Sequence, residues 1–188
     1  MKLFIGCSSR DEIPKKYYDD CSILLDKLFS CGNELVFGAC GKGLMGLSYD
    51  VTIEKSCKII GIFPEFYKNE AEELNCLKIP VKTVNERTEK IIEESDVLIF
   101  LPGGIGTLYE LFTAIESKRG YEHNKPIIIY NCCGFYDNIF NQLSIMEDEK
   151  FISSDDKEYY FVCSSWEEII EYLNNYNIKK DNSLKLKK

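Results

Sequence analysis

Residues 96–101, Asp-Val-Leu-Ile-Phe-Leu, run without a break into Pro102-Gly103-Gly104-Ile105-Gly106-Thr107. No other part of the chain constrains the fold as tightly. A strand that is apolar at almost every position has no wet face, so it belongs inside a sheet covered on both sides, and such sheets are built from parallel strands. Parallel neighbours need a crossover, usually a helix. The glycine turn serves that purpose by stopping the strand abruptly and releasing the chain into a helical segment.

The same alternation runs along the whole chain. Extended segments are expected at 2–7, 34–38, 58–63, 78–84, 96–101, 126–130 and 159–163. Helical period fills 14–31, 43–56, 87–95, 107–118, 135–148 and 165–175. In the first helix Ile23, Leu24, Lys27 and Leu28 recur at helical spacing and Gly32 ends the run; in the last, Ser164 or Ser165 with Glu167 and Glu168 makes an N-terminal cap. The polar stretch 65–77 reads as an irregular, mobile loop. Strands alternating with helices predict right-handed βαβ units and an α/β fold, a doubly wound, Rossmann-like parallel sheet with helices on both faces. The chain is 188 residues long, which suits a single domain over 1–176, followed by a basic, flexible tail at 177–188 that runs from Lys179-Lys180 to Lys187-Lys188.

Composition excludes several classes of function. A net charge of −8 argues against a duplex nucleic-acid binder, although backbone dipoles can still bind a small anion. The apolar runs 97–101 and 127–130 fall far short of the ~20 residues a membrane span needs, and the N-terminus has no signal-like apolar region, so a soluble cytoplasmic protein without membrane partners is expected. The nine cysteines include no Cys-x-x-Cys pair, and His123 is the single histidine. The cysteines read as small packing residues in a reducing compartment, and neither a metal nor a cofactor is expected.

In a doubly wound sheet, ligands sit beyond the carboxyl ends of the strands. Three glycine or serine turns fall there: Gly6-Cys7-Ser8-Ser9, Gly38 through Gly43-Leu44-Met45-Gly46, and Pro102-Gly103-Gly104-Ile105-Gly106-Thr107. The third has a strand end, three glycines within four positions and a helix expected to start at Thr107, with Thr107 as its cap. Exposed amides at a helix start and the helix dipole favour a phosphate there. The turn is neither Gly-x-Gly-x-x-Gly nor a P-loop, since Gly106-Thr107 lacks the lysine. Glu110 follows three residues after Thr107, expected in the first helical turn, and Arg87 opens an earlier helix at the same sheet edge. A carboxylate and a guanidinium beside a sugar phosphate suit glycosidic chemistry, whose transition state is oxocarbenium-like. A sensor or carrier of the same fold would use the phosphate cradle but would have no need of Glu110.

The run Pro102-Gly103-Gly104-Ile105-Gly106-Thr107-Leu108-Tyr109-Glu110 resembles the Pro-Gly-Gly-x-Gly-Thr-x-x-Glu signature of the Lonely Guy family. Gly43-Leu44-Met45-Gly46, Gly6-Cys7-Ser8-Ser9, Ile62-Phe63-Pro64 and Lys125-Pro126 are similar to further family segments, and Arg87 falls where its catalytic arginine stands. Members are cytokinin riboside 5′-monophosphate phosphoribohydrolases, long misnamed lysine decarboxylases. The resemblance implies a Rossmann-like nucleotide-binding domain and hydrolysis of the N-glycosidic bond of a nucleoside 5′-monophosphate such as AMP. It implies catalysis by Arg87 and Glu110, and phosphate held by Pro102, Gly103, Gly104, Gly106 and Thr107. Ser8 and Ser9 would line the site, and the turn with Gly43, Met45 and Gly46 would close on it. It also implies a homodimer, for which Leu111, Phe112 and Ile115 could offer an apolar face; core packing accounts for them equally well. Decarboxylation of lysine would need pyridoxal phosphate on a Schiff-base lysine, and Lys42 is the only lysine in a glycine turn. Where the family usually has Arg-Lys this chain has Arg87-Thr88, and Tyr109, Thr113 and Ser117-Lys118-Arg119 also depart from its pattern. Thr113 and Ser117 are expected on the same helix face as Glu110, so these departures point to an altered base pocket.

Overall fold

The computed structural model describes the backbone of residues 1–185 and the side chains of residues 1–176. Seven strands, β1 (Lys2–Gly6), β2 (Glu34–Phe37), β3 (Ile59–Pro64), β4 (Leu77–Val81), β5 (Val97–Phe100), β6 (Ile127–Tyr130) and β7 (Phe161–Cys163), form one sheet in the order β4-β3-β2-β1-β5-β6-β7. Every adjacent pair is parallel, with Leu3 opposite both Leu35 and Val97 in register. The helices are α1 (Lys15–Ser30), α2 (Gly43–Glu54), α3 (Lys68–Glu72), α4 (Val84–Glu94), α5 (Ile105–Arg119), α6 (Asp137–Asp148) and α7 (Trp166–Lys185). The doubly wound α/β sheet expected from the alternation is the observed fold.

Period-two alternation on the central strands divides the core into two layers. Leu3, Ile5, Val97, Ile99, Leu101, Ile128 and Tyr130 point to one face, where they pack with Leu24, Leu28, Leu44, Ile169 and Leu173 of α1, α2 and α7. Phe4, Leu98, Phe100, Ile127 and Ile129 point to the other and meet Ile91, Leu111 and Ala114 of α4 and α5. Both faces of β5 are therefore buried, as its unbroken apolarity requires. The chain winds outward from β1 to β4, then returns to β5 on the other side of β1. The C-terminal ends of β1 and β5 thus flank the switch point, where such sheets bind ligands.

Several boundaries differ from the sequence expectations, three of them for physical reasons. The stretch expected as a loop folds into a 3-10 turn (Glu65–Tyr67) and α3, because Ala71 and Leu74 insert into the core. Helix α4 starts at Val84 because the Thr83 hydroxyl accepts from the Glu86 amide at 3.1 Å. Ser165 caps α7, accepting from the Glu168 amide at 3.4 Å, and the helix runs on to Lys185. The basic tail expected at 177–188 falls on the end of α7 and on 186–188, which lie outside the described residues. Among the described residues no helix is long and apolar enough to cross a membrane.

Candidate active site

The loops after β1 and β5 lie edge to edge. The Leu101 amide donates to the Gly6 carbonyl at 2.9 Å and the Ser8 amide to the Pro102 carbonyl at 3.0 Å. Helix α5 then begins at Ile105, with Gly104 as N-cap and no side chain capping it. This corrects the expectation of a start and cap at Thr107, which is instead the third helical residue, buried, with its side chain packed against Gly103. The uncapped start leaves the Ile105, Gly106 and Thr107 amides without intrahelical partners, at the positive end of the dipole. A Cβ at Gly104 or Gly106 would meet nothing within 4 Å, so the backbone here faces open space. The phosphate cradle read from the sequence is thus an exposed helix start with room for an anion. Ser8 is half-buried beside it and accepts from the Arg10 amide at 3.1 Å, while Ser9 is exposed.

The Gly43–Gly46 turn has a different role in the geometry. Gly43 has φ +62, and a Cβ on it would lie 2.7 Å from backbone atoms of Ser8 and Arg10; a Cβ on Gly46 would strike the Gly41 carbonyl. The Gly43 amide donates to the Asp11 carboxylate at 2.8 Å, and the Met45 amide donates to the Ser8 carbonyl at 3.1 Å. These glycines let α2 seat directly on the β1 loop. The start of α2 already holds a carboxylate, whereas no side chain caps the start of α5. Lys42 is exposed, as befits a solvated loop lysine.

Arg87 and Glu110 meet beside the cradle. Arg87 Nη2 lies 2.6 Å from Glu110 Oε1, and both side chains are largely withdrawn from solvent. Glu110 falls in the second turn of α5 rather than the first, since the helix starts two residues earlier than expected. Burial pushes its carboxyl up to about 7, against the pull of the Arg87 charge and hydrogen bond. The Cys7 thiol is raised as well, first by its own burial and then by Glu110. Arg87 Nε is buried without a hydrogen-bond partner. An orphaned donor of that kind costs about 1–3 kcal/mol and marks a place where a ligand oxygen can be received. Met45 and Arg87 converge over Gly38, where an added Cβ would lie 3.4 Å from Met45 Cε and 3.7 Å from Arg87 Nη1. Met45 thus reaches the site through its side chain.

Two tyrosines support the site, Tyr136 without any sequence signal and Tyr109 marked by sequence only as a departure from the family pattern. The Tyr136 hydroxyl donates to the Leu101 carbonyl at 2.6 Å and faces the Gly103 amide, so a buried phenol braces the cradle from below. Tyr109 Oη lies 2.8 Å from Asn85 Oδ1, tying α5 to α4 next to the Arg87–Glu110 pair. Replacing Tyr136 with Phe leaves the Leu101 carbonyl without that donor, so we expect stability to drop by about 1–3 kcal/mol. An unchanged melting temperature and unchanged nucleotide affinity would remove Tyr136 from the cradle. Thr113 and Ser117 do not share a cavity with Glu110. They open on an apolar groove of about 460 Å³ with Ile105, Leu108, Tyr109 and Phe112. Of the proposed dimer-face residues, Leu111 is core and Phe112 is exposed.

The model of the family described as "possible lysine decarboxylase" matches residues 45–173, which include Arg87, the glycine turn and Glu110. The chain belongs to the Lonely Guy family. It is 29% identical over 96% of its length to a probable cytokinin riboside 5′-monophosphate phosphoribohydrolase of Oryza sativa subsp. japonica, covering 73% of that protein. It is 28% identical, again over 96% of its length, to a cytokinin riboside 5′-monophosphate phosphoribohydrolase of Arabidopsis thaliana, covering 85% of it. Among solved structures the fold is similar to a molybdenum cofactor binding protein of Rippkaea orientalis, with TM-score 0.68, 21% identity, and coverage of 93% of this chain and 96% of that one. A molybdenum cofactor carrier protein of Chlamydomonas reinhardtii superposes with TM-score 0.69 at 18% identity, over 95% of this chain and 98% of that one. At such identities these two structures speak to the fold alone.

Proposed function

We propose that this Lonely Guy member hydrolyses the N-glycosidic bond of a nucleoside 5′-monophosphate such as AMP, giving free base and ribose 5-phosphate. One observation carries the reading: a buried Arg87–Glu110 pair stands beside an uncapped helix start. The amides of Ile105, Gly106 and Thr107 hold the phosphate, with Pro102, Gly103 and Gly104 shaping the approach. Ser8, Ser9 and the loop with Gly43, Met45 and Gly46 wall the ribose side.

With the phosphate anchored, the ribose lies over the carboxylate of Glu110. The C1′–N bond breaks with its electron pair leaving on the base, and positive charge develops on the sugar. Ionised Glu110 stabilises that charge and accepts a proton from the water that adds to C1′; that proton passes on to the departing base nitrogen, which restores the carboxylate and leaves the base neutral. Arg87 favours the ionised form of Glu110, and its free Nε–H faces a substrate oxygen. No step uses a metal or cofactor. Tyr109, tied to Asn85 next to the Arg87–Glu110 pair, is the family departure placed to influence which base is released, whereas Thr113 and Ser117 open on a separate groove; a homodimer is part of the proposal.

The alternative, a nucleotide sensor or carrier of the same fold with little turnover, explains the cradle but not a buried carboxylate held against a guanidinium. Incubation with a panel of nucleoside monophosphates, followed by chromatography, should release base and ribose 5-phosphate in equal amounts. A protein that binds the panel and cleaves none of it would favour the carrier. Calorimetry should also find a nucleoside bound far more weakly than its 5′-monophosphate, because the helix-start amides contact only the phosphate. Equal affinities would take the cradle out of the account.

A further inference from the structure

The C-terminal end of β6 carries a second group of side chains, able to ligate a metal, that the proposed hydrolysis does not use. Tyr130 closes the strand, and Cys132–Gly134 forms a 3-10 turn over which α1 lies. The ligand atoms of Asp20, Cys132 and Cys133 all lie within 4.8 Å of one another. Cys133 Sγ is 4.0 Å from Asp20 Oδ2, and the Cys132 thiol lies against both the Asp20 carboxylate and the Cys21 thiol. The other carboxylate oxygen, Asp20 Oδ1, accepts from the Tyr130 hydroxyl at 2.7 Å, which fixes its orientation and leaves Oδ2 turned to the sulfurs. Cys133 has φ +54, a left-handed conformation that a side chain adopts at a cost and that tends to persist at functional positions.

We propose that Asp20, Cys132 and Cys133 form a binding site for a thiophilic divalent cation of the zinc class, with Cys21 as a neighbouring fourth donor. Two sulfurs and one carboxylate oxygen suit zinc or cadmium and discriminate against magnesium and calcium, which take oxygen ligands. Tetrahedral bonds of about 2.0–2.3 Å would separate the ligand atoms by roughly 3.5–4 Å, so the cluster needs to close only slightly. The Tyr130–Asp20 hydrogen bond is the outer contact that a metal-ligating carboxylate usually has. Cys133 is exposed and gives the ion a way in, while Cys21 and Cys132 are buried behind it. As each metal–sulfur bond forms, its thiol loses a proton to solvent; one divalent ion therefore releases two protons from Cys132 and Cys133, a third when Cys21 also ligates, and no electron moves. The cluster shares no residue with the Arg87–Glu110 pair.

The test is a titration of the chelator-treated full chain with cobalt(II), then zinc(II), following the thiolate-to-cobalt charge-transfer band. Wild type and Cys31→Ser, which removes an exposed thiol outside the cluster, should each bind one cobalt per chain and surrender it to zinc. Cys133→Ser changes an exposed side chain, so it should fold, and it should weaken zinc by at least ~10-fold; Asp20→Asn should do the same while keeping a partner for Tyr130. A wild type without the charge-transfer band would overturn the proposal. So would a Cys133→Ser titration that superimposes on the wild type.

Discussion

Replacing Glu110 with Gln should lower kcat by at least ~10²-fold while nucleotide affinity changes little. On the proposed mechanism the loss is that of an acid/base or charge-stabilising group, and the backbone amides proposed to hold the phosphate are left alone by the substitution. The same variant reports on pH. The buried carboxyl titrates at about 7, above its ordinary 4.5, so the folded chain holds a proton there that the unfolded chain releases. Its contribution to stability is therefore fully present below pH 4.5, falls as pH rises toward about 7, and is flat above. Glu110→Gln should lose this decline, which thermal melts across that window would register. The wild-type kcat/KM should climb with pH on an acid limb near 7, because the ionised form is the one that serves the cationic transition state. A Gln variant with full turnover would remove Glu110 from catalysis.

Arg87→Ala should have the second large effect, and on binding as well as turnover. It removes the partner 2.6 Å from Glu110 and leaves the carboxyl buried alone, so its titration should move further above 7. At neutral pH most of the variant then carries a neutral Glu110, and the Nε–H is lost with it. Both kcat and affinity should fall. Breaking a buried pair from one side costs about 3–5 kcal/mol when the remaining charge must stay. Here Glu110 can take up a proton, so the stability loss should be small in acid and grow above pH 7. A uniform loss at all pH values, with unchanged affinity, would contradict the pairing.

The sheet is legible because its cause is local. Residues 97–101 and 127–130 are apolar at every position, and the glycine turn at 103–106 marks a strand end whatever lies around it. The cradle follows from the same residues. Its cap does not, because Gly104 starts α5 with backbone alone and leaves no side-chain signature, whereas Thr107 looks like a cap and packs against Gly103 instead. The Arg87–Glu110 contact spans 23 positions, and residue types alone bring the two only to the same sheet edge; their separation and burial come from α4 packing on α5. The Asp20–Cys132–Cys133 cluster joins α1 to the turn after β6 and obeys no ligand spacing, so reading the cysteines as packing residues is natural from the chain alone. Tyr136 likewise looks like an ordinary aromatic until its hydroxyl is found under Leu101.

The most direct measurement is a single turnover of excess enzyme with AMP in oxygen-18 water, with mass analysis of every product. The account predicts unlabelled base and ribose 5-phosphate that carries one heavy oxygen at C1, formed by wild type and nearly absent with Glu110→Gln. Label in inorganic phosphate, or AMP recovered intact from an enzyme shown to bind it, would contradict the account.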